Sequence, residues 1–432
     1  MNYQQTIDYL YSRLPMFHRI GPAAYKADLS NTWALADFLG NPHLKFKSIH
    51  IAGTNGKGSV ASMLASIFQE AGYKTGLCTS PHLRDFRERF RINGEMIDKE
   101  FIVDFVENVS GFSEKINPSF FELTIAMTFD YFARQKVDIA IIETGLGGRL
   151  DSTNIIRPEL SIITNIGFDH TNLLGNTIEK IAFEKAGIIK QGVPLVIGKT
   201  RSEALKVILG KANELDALSV YADSLYRASE PVLNSLGDEM LLCFQLEGKN
   251  KSRYIPGGLT GLCQLDNMIT TMASIETINA AKNFCISERA LLDGIRNVVK
   301  NTGLTGRWQV LAREPLVICD TGHNADGVRS VLDNIAATPH HKLHFVLGLM
   351  NDKNMEELLS LLPVENTRYY FCRPDVPRGL NEKTLQDCAN KKGLDGAAYK
   401  SVRQALDHAC SKANKNDLVF IGGSTFVVAE VV

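Results

Sequence analysis

Residues 49–72, IHIAGTNGKGSVASMLASIFQEAG, bring together the residue types that hold a phosphate. Gly53, Gly56 and Gly58 permit a tight turn that a Cβ would resist. The turn runs from a short apolar strand through Thr54, Asn55 and Gly56 into a helix that starts near Ser59 and ends at Gly72. Backbone N–H groups and the positive end of the helix dipole then point at one place. Lys57 adds a full charge, and Ser59 adds a hydroxyl able to reach a metal. The spacing departs from G-x-x-x-x-G-K-[ST], because Gly53 and Gly56 are closer together and Gly58 separates Lys57 from Ser59. A glycine-rich turn with a surface lysine is the plainer alternative. The order strand, loop, lysine, hydroxyl, helix favours a phosphate site.

Other residues with chemical potential lie at the ends of apolar runs. The β-branched run 137–142 reads as a buried parallel strand ending at Glu143, where open α/β sheets place their ligands. A carboxylate there, before a glycine-rich turn, suits a magnesium ion; pairing with Arg149 is the alternative. The strand read over residues 160–166 is followed by Asp169 and His170, and a lone histidine in that place is more often structural than a metal ligand. Lys185 lies on or near a helix, where Glu184 or Glu179 could pair with it. After a strand at residues 75–79 comes a loop, expected to be mobile, with Arg84, Arg87, Arg89 and Arg91. An ordinary basic surface explains these arginines as well as a ligand does.

The elements that must position these residues follow from length and patterning. A chain of 432 residues exceeds one ordinary core. Its 44% hydrophobic and 22% charged content is that of a soluble globular protein, and a net charge of −1 gives no support for nucleic-acid or membrane binding. No apolar stretch reaches the roughly 18 residues of a membrane span. The first residues lack the apolar core of a secretory signal, so a cytoplasmic location is expected. The eight cysteines form no C-x-x-C pair and read as buried free thiols, Cys319 and Cys372 among them. Two lead-in helices are expected before residue 40, joined by a basic loop with Arg13, His18, Arg19 and Lys26. Residues 99–135 read as helices, residues 241–259 as antiparallel strands, and the stretch from Gln264 as a helix. Residues 301–308 are glycine-rich and aperiodic, marking a linker between domains 1–300 and 309–432. The last part alternates strand and helix around a mainly parallel sheet whose first strand, 316–319, ends in Asp320 and His323.

G-T-N-G-K-G-S resembles the nucleotide loop of the Mur ligase superfamily, and within it the folylpolyglutamate synthase/dihydrofolate synthase group. T-S-P-H-L at residues 79–83, E-T-G-L-G-G-R-x-D at 143–151, F-D-H at 168–170, E-K-A-G at 184–187 and D-x-x-H-N at 320–324 occur in that group's order. The resemblance implies an α/β fold, with a large N-terminal P-loop domain of the Mur ligase central type and a smaller Rossmann-like C-terminal domain. It implies ATP contacts from Thr54, Asn55, Gly56, Lys57, Gly58, Ser59, Asn267, Arg307 and Asp320. Magnesium would be held by Ser80, Glu143 and His170, at two sites in all. Pro81, His82, Asp151, Thr153, Asn154 and Ser424 would lie on the substrate side, although a structural turn explains Ser424 almost as well. Lys57, Lys185 and His323 would be catalytic, with Lys185 carbamylated. His323 and Asp320 would face nucleotide and glutamate across an interdomain cleft. Thr305, Gly322 and Ala325 depart from the group's pattern without removing a charged position.

The implied activity is ATP-dependent ligation of L-glutamate to dihydropteroate, to reduced folates, or to both, through an acyl phosphate. A monofunctional folylpolyglutamate synthase or another Mur-type amide ligase is the alternative. A P-loop kinase or GTPase leaves the D-x-x-H-N stretch unexplained, and a binding module without chemistry would show no turnover. The expected partners are small molecules only (dihydropteroate or folate, L-glutamate and ATP), with no nucleic acid or membrane, and the expected state is a monomer.

Overall fold

The computed structural model describes residues 1–16, 21, 26, 28–229, 232–236, 239–248, 252–351 and 355–432. His18 and Arg19 of the expected basic loop lie outside the described residues. Two compact units divide the chain: residues 1–258 with 264–304, and residues 259–263 with 305–432. The change of unit thus falls between Leu304 and Thr305, but a short excursion at residues 259–263 goes with the C-terminal unit, which the sequence pattern did not signal. Residues 301 and 302, expected in an aperiodic linker, close the helix Val298–Thr302, capped by Gly303 in the left-handed region.

The N-terminal unit is built on β1 (Lys47–Ala52), β2 (Thr75–Cys78), β3 (Phe90–Ile92), β4 (Glu95–Met96), β5 (Ile139–Glu143), β6 (Leu160–Ile163), β7 (Leu195–Ile197) and β8 (Ser219–Tyr221), ordered β4-β3-β2-β5-β1-β6-β7-β8. All neighbours run parallel except β2–β3 and β3–β4. Every residue of β5 and β6, and all but the first of β1, is buried, as expected of a parallel sheet covered on both faces. The helix Lys57–Glu70 is buried from Gly58 to Phe68. The helices Lys99–Ile116 and Phe120–Arg134 add an apolar layer, the second started by a Ser119–Glu122 capping box. A separate antiparallel sheet comprises β9 (Tyr226–Ala228), β10 (Val232–Leu236), β11 (Glu239–Gly248) and β12 (Ser252–Gly257).

The C-terminal unit holds β13 (Gln309–Arg313), β14 (Leu316–Cys319), β15 (Leu343–Leu347), β16 (Thr367–Cys372), β17 (Gly396–Tyr399) and β18 (Leu418–Gly422), ordered β13-β14-β18-β15-β16-β17. Only β13 is antiparallel to its neighbour. Trp308 is buried there and stacks on Phe420 at 5.6 Å. All eight cysteines are free, but only Cys78, Cys243, Cys319 and Cys372 are buried. Cys263 and Cys285 are exposed, which corrects the expectation of uniformly buried thiols. No helix among the described residues is long and apolar enough to cross a membrane.

Candidate active site

β1, β5 and β6 are adjacent and parallel, so the loops leaving their carboxyl ends open side by side. The loop after β1 is clamped to the loop after β6. Asn165 accepts the N–H of Thr54 through its carbonyl (3.0 Å) and that of Asn55 through its side-chain oxygen (2.9 Å). The Thr54 hydroxyl and the Gly167 backbone are bonded at 3.1 and 3.0 Å, and the Thr164 hydroxyl donates to the Asn55 carbonyl at 2.6 Å. A Cβ on Gly53 would lie 1.9 Å from Thr164 Oγ1, and one on Gly56 2.2 Å from Asn267 Oδ1, so both approaches require glycine. Thr54 and Asn55 therefore spend their amides on the clamp. The amides that a phosphate can reach belong to the next turn. There the helix Lys57–Glu70 begins with no side-chain cap at Gly56, and its first N–H groups lack intrahelical partners. The signal for the clamp, Asn165, was not read from the sequence.

Two lysines converge on one backbone oxygen. Lys57 Nζ donates to the Gly53 and Thr54 carbonyls at 3.0 and 3.2 Å. Lys185 Nζ donates to the same Gly53 carbonyl at 2.8 Å. Lys185 is 4% exposed, and burial, then the charge of Lys57, pushes its pKa down to about 7. Asp169 and Asp151 act in the opposite direction. The carboxylate of Glu184 pairs with Arg149 at 2.8 Å.

Glu143 closes β5 and is buried, and its Oε2 accepts the N–H of Ser80 at 3.1 Å. These two metal candidates are thereby brought together. His170 has a left-handed backbone at the start of a four-residue helix, with Nε2 3.9 Å from Asp169 Oδ1. Among the described residues no group of three His, Cys, Asp or Glu side chains could hold a metal. A metal here would depend on the carboxylate, hydroxyl and imidazole set. Those donors fit a hard divalent cation, since a buried carboxylate at the sheet edge beside a phosphate loop supplies the anionic oxygen it needs.

The substrate-side residues after Glu143 are turned inward. Asp151, Thr153 and Asn154 are 3%, 0% and 8% exposed. Asp151 accepts from the amides of Leu146 (2.7 Å) and Thr153 (3.0 Å) and from the Thr153 hydroxyl (2.5 Å). Asn154 Nδ2 donates to the Arg149 and Gly187 carbonyls. These hydrogen bonds hold the turn.

The stretch expected as a mobile basic loop is a knitted structure. Glu88 accepts the amides of Leu83, Arg84 and Asp85, and Asp85 caps the 3-10 turn Phe86–Arg89, after which β3 and β4 form a hairpin. Arg89 is 4% exposed, donates to His82 Nδ1 at 2.7 Å and lies over the Phe120 ring. Tyr11 stacks on His82, and its hydroxyl is 3.3 Å from Nε2. Arg87 pairs with Asp85, and Arg91 donates to the Gly94 carbonyl. The surface-loop expectation fails for Arg89 because its charge is matched by His82 and an aromatic face. Sequence reading missed both Arg89 and Tyr11 as neighbours of His82. Pro81 follows Ser80 through a cis bond.

In the C-terminal unit, Asp320 follows β14 and Ser424 follows the adjacent β18, so both stand at the same sheet edge. Asp320 is half-buried. It accepts the amides of Trp308 and Gly322, each at 2.7 Å, and burial raises its pKa against the opposing charge of Arg307. His323 Nδ1 is 3.0 Å from the Thr321 carbonyl, which makes Nδ1 the protonated nitrogen. Asn324 caps the helix Ala325–Ala337, and Ser424 caps Thr425–Ala429 by accepting the Phe426 amide at 3.2 Å. In the N-terminal unit, Asn267 meets Gly56 and donates to Gln264 at 2.9 Å.

The fold and these strand-end clusters define an ATP-dependent amide-forming ligase. Residues 51–275 match the Mur ligase middle domain and residues 306–425 the Mur ligase glutamate ligase domain, and the chain belongs to the Mur ligase family. The dihydrofolate synthase/folylpolyglutamate synthase of Bacillus subtilis is 33% identical over 438 residues, covering 99% of this chain and 98% of that one. The structure of Escherichia coli FolC in complex with DHPP and ADP aligns with a TM-score of 0.84 at 28% identity, covering 100% of this chain and 97% of that one. The bifunctional folylpolyglutamate synthase/dihydrofolate synthase of Yersinia pestis, complexed with AMPPNP and Mn ion, aligns at 0.83 with 27% identity, covering 100% and 97%.

Proposed function

We propose that this chain joins L-glutamate to the carboxylate of dihydropteroate and of reduced folates, with ATP as the phosphoryl donor. The observation that carries the reading is the convergence of Lys57 and Lys185 on the Gly53 carbonyl, beside an uncapped helix start and the Glu143–Ser80 pair. Lys57 supplies a cation for the anionic phosphates, and its charge beside Lys185 favours the uncharged form of that second amine. A carboxylate is a poor acylating agent; once phosphorylated it has a good leaving group, and the glutamate amine displaces phosphate to leave an amide. Lys57 and the first-turn amides bind and orient the phosphates. Glu143, Ser80 and His170 would hold magnesium, with a second ion near Lys185. Bound magnesium supplies neutralisation of charge on the transferring phosphoryl group. Asp320 and His323 orient nucleotide or glutamate, with Arg307 beside Asp320 contributing charge.

Lys185 is the proposed site of carbamylation. With a pKa near 7 its amine is neutral in a large fraction of molecules at neutral pH, and only the neutral amine attacks carbon dioxide. As the N–C bond forms, the neutral amine loses one proton and becomes an anionic carbamate; counted from the ammonium form, two protons leave. The proposed domains are an ATP- and pterin-binding part ending near residue 300 and a glutamate-binding part from 309. A monomer is the proposed state, and the free thiols support a cytoplasmic setting.

The test is glutamate-dependent phosphate release by the purified protein, offering dihydropteroate, tetrahydrofolate and a UDP-muramoyl substrate separately. Turnover of the first two supports the bifunctional reading. Tetrahydrofolate alone reduces it to one activity, and turnover of neither moves the assignment to another Mur-type ligase.

A further inference from the structure

His50 stands in the middle of β1 with no solvent exposure, between Ile142 of β5 and Ser161 of β6. An aliphatic residue would fill that place in a parallel strand without a polar penalty. Its Nδ1 has no hydrogen-bond partner, whereas Nε2 lies 2.8 Å from Thr153 Oγ1. The direction of that bond is determined by its neighbours. Both oxygens of Asp151 accept backbone amides, so the carboxylate is an acceptor and the Thr153 hydroxyl, 2.5 Å away, must donate to it. The lone pairs left on Thr153 then accept from His50, which carries its proton on Nε2. Burial keeps the ring neutral, with a pKa lowered to about 3. The result is a chain that converges on Asp151: His50 Nε2–H donates to Thr153 Oγ1, the Thr153 O–H donates to Asp151, and the Leu146 N–H, three residues beyond Glu143, donates to the same carboxylate.

We propose that His50 is a positioning residue: it fixes the Thr153 hydroxyl on Asp151, and so holds the turn at residues 144–151 that leaves Glu143. Its consequence for metal binding rests on the reading of Glu143 given above; its hold on the turn does not. The experiment measures amide hydrogen exchange at single-residue resolution in the full chain, comparing Leu146 with Ile141 and Ile142 in the β5 ladder. His50→Leu is expected to speed exchange at Leu146 roughly tenfold, the factor that corresponds to one ordinary hydrogen bond, while the ladder amides change far less. His50→Gln, whose amide nitrogen can take the place of Nε2, restores slow exchange. Thr153→Val reproduces the effect of His50→Leu, and the double variant adds nothing further, because both changes break one chain. If His50→Leu fails to fold, His50→Gln and Thr153→Val carry the test.

The proposal is overturned by unchanged exchange at Leu146, by equal acceleration in the ladder, by a folded His50→Gln that behaves no better than His50→Leu, or by additive effects. A parallel arm titrates magnesium against the thermal protection that ADP confers, in wild type, His50→Leu and Glu143→Gln. His50→Leu is expected to raise the magnesium midpoint and His50→Gln to return it. If Glu143→Gln leaves the midpoint unmoved, the metal role of Glu143 fails, and exchange at Leu146 still decides the role of His50.

Discussion

The strand ends of the two units use their polar residues differently. After β1, β5 and β6, Lys57 and Lys185 share one carbonyl oxygen and Glu143 accepts the Ser80 amide. Charged side chains are concentrated there, which suits a highly charged ligand. After β14 and β18, Asp320, Asn324 and Ser424 accept backbone amides, and the last two start helices. They shape loops, and Arg307 opposes the effect of burial on Asp320. Substitutions should therefore act on chemistry in the first region and on loop geometry in the second.

The largest effect is expected from Lys57→Ala. Loss of the main cation at the phosphate loop should lower kcat by roughly 10²–10³ with the fold intact, as for removal of a preorganised charge donor. Near-normal turnover in a folded variant would remove the distinction between the regions. Next is Glu143→Gln, which keeps size but removes the charge. Activity should be lost and only partly recovered by raised magnesium, and an unchanged magnesium dependence would make Glu143 structural.

Lys185 gives a graded test. Lys185→Ala should be nearly inactive and partly rescued by short carboxylates if a carbamate is what the site needs; intact-mass measurement of a free lysine together with an active variant would sink the idea. The uncarbamylated lysine also has a stability signature. Its folded pKa, about 7, lies below the usual 10.5, so between those values the unfolded chain binds more protons. Stability then rises with pH through that window and is lowest, with the full penalty present, below about 7. In bicarbonate-free buffer the urea midpoint of wild type should climb from pH 7 to 9 relative to Lys185→Met. A parallel pair of curves would show that Lys185 is not held as described. The smallest effect is expected from Ser424→Ala, which removes a helix cap worth about 1 kcal/mol, lowering the melting temperature while kcat stays within a few-fold. A large loss of kcat without loss of stability would give Ser424 a direct part in binding and erase the contrast.

The sequence by itself determined the phosphate loop, the strand that ends in Glu143 and the alternation of strand and helix in both units. These depend on residue types a few positions apart, where glycine freedom, β-branching and helical spacing act locally. Bounds shifted by a few residues, as with the helix read from Ser59 that begins at Lys57. Only the tertiary structure decided which groups meet. Lys185 reaches Gly53 across 132 positions of sequence, and Asn165 reaches Asn55 across 110. Lys185 could equally have paired with Glu184 on its own helix, and Arg89 could have been one more solvated arginine. Strand order settles such choices, because it brings the ends of β1, β5 and β6 side by side, and burial then favours pairing each polar group with a partner that the sheet has placed within reach.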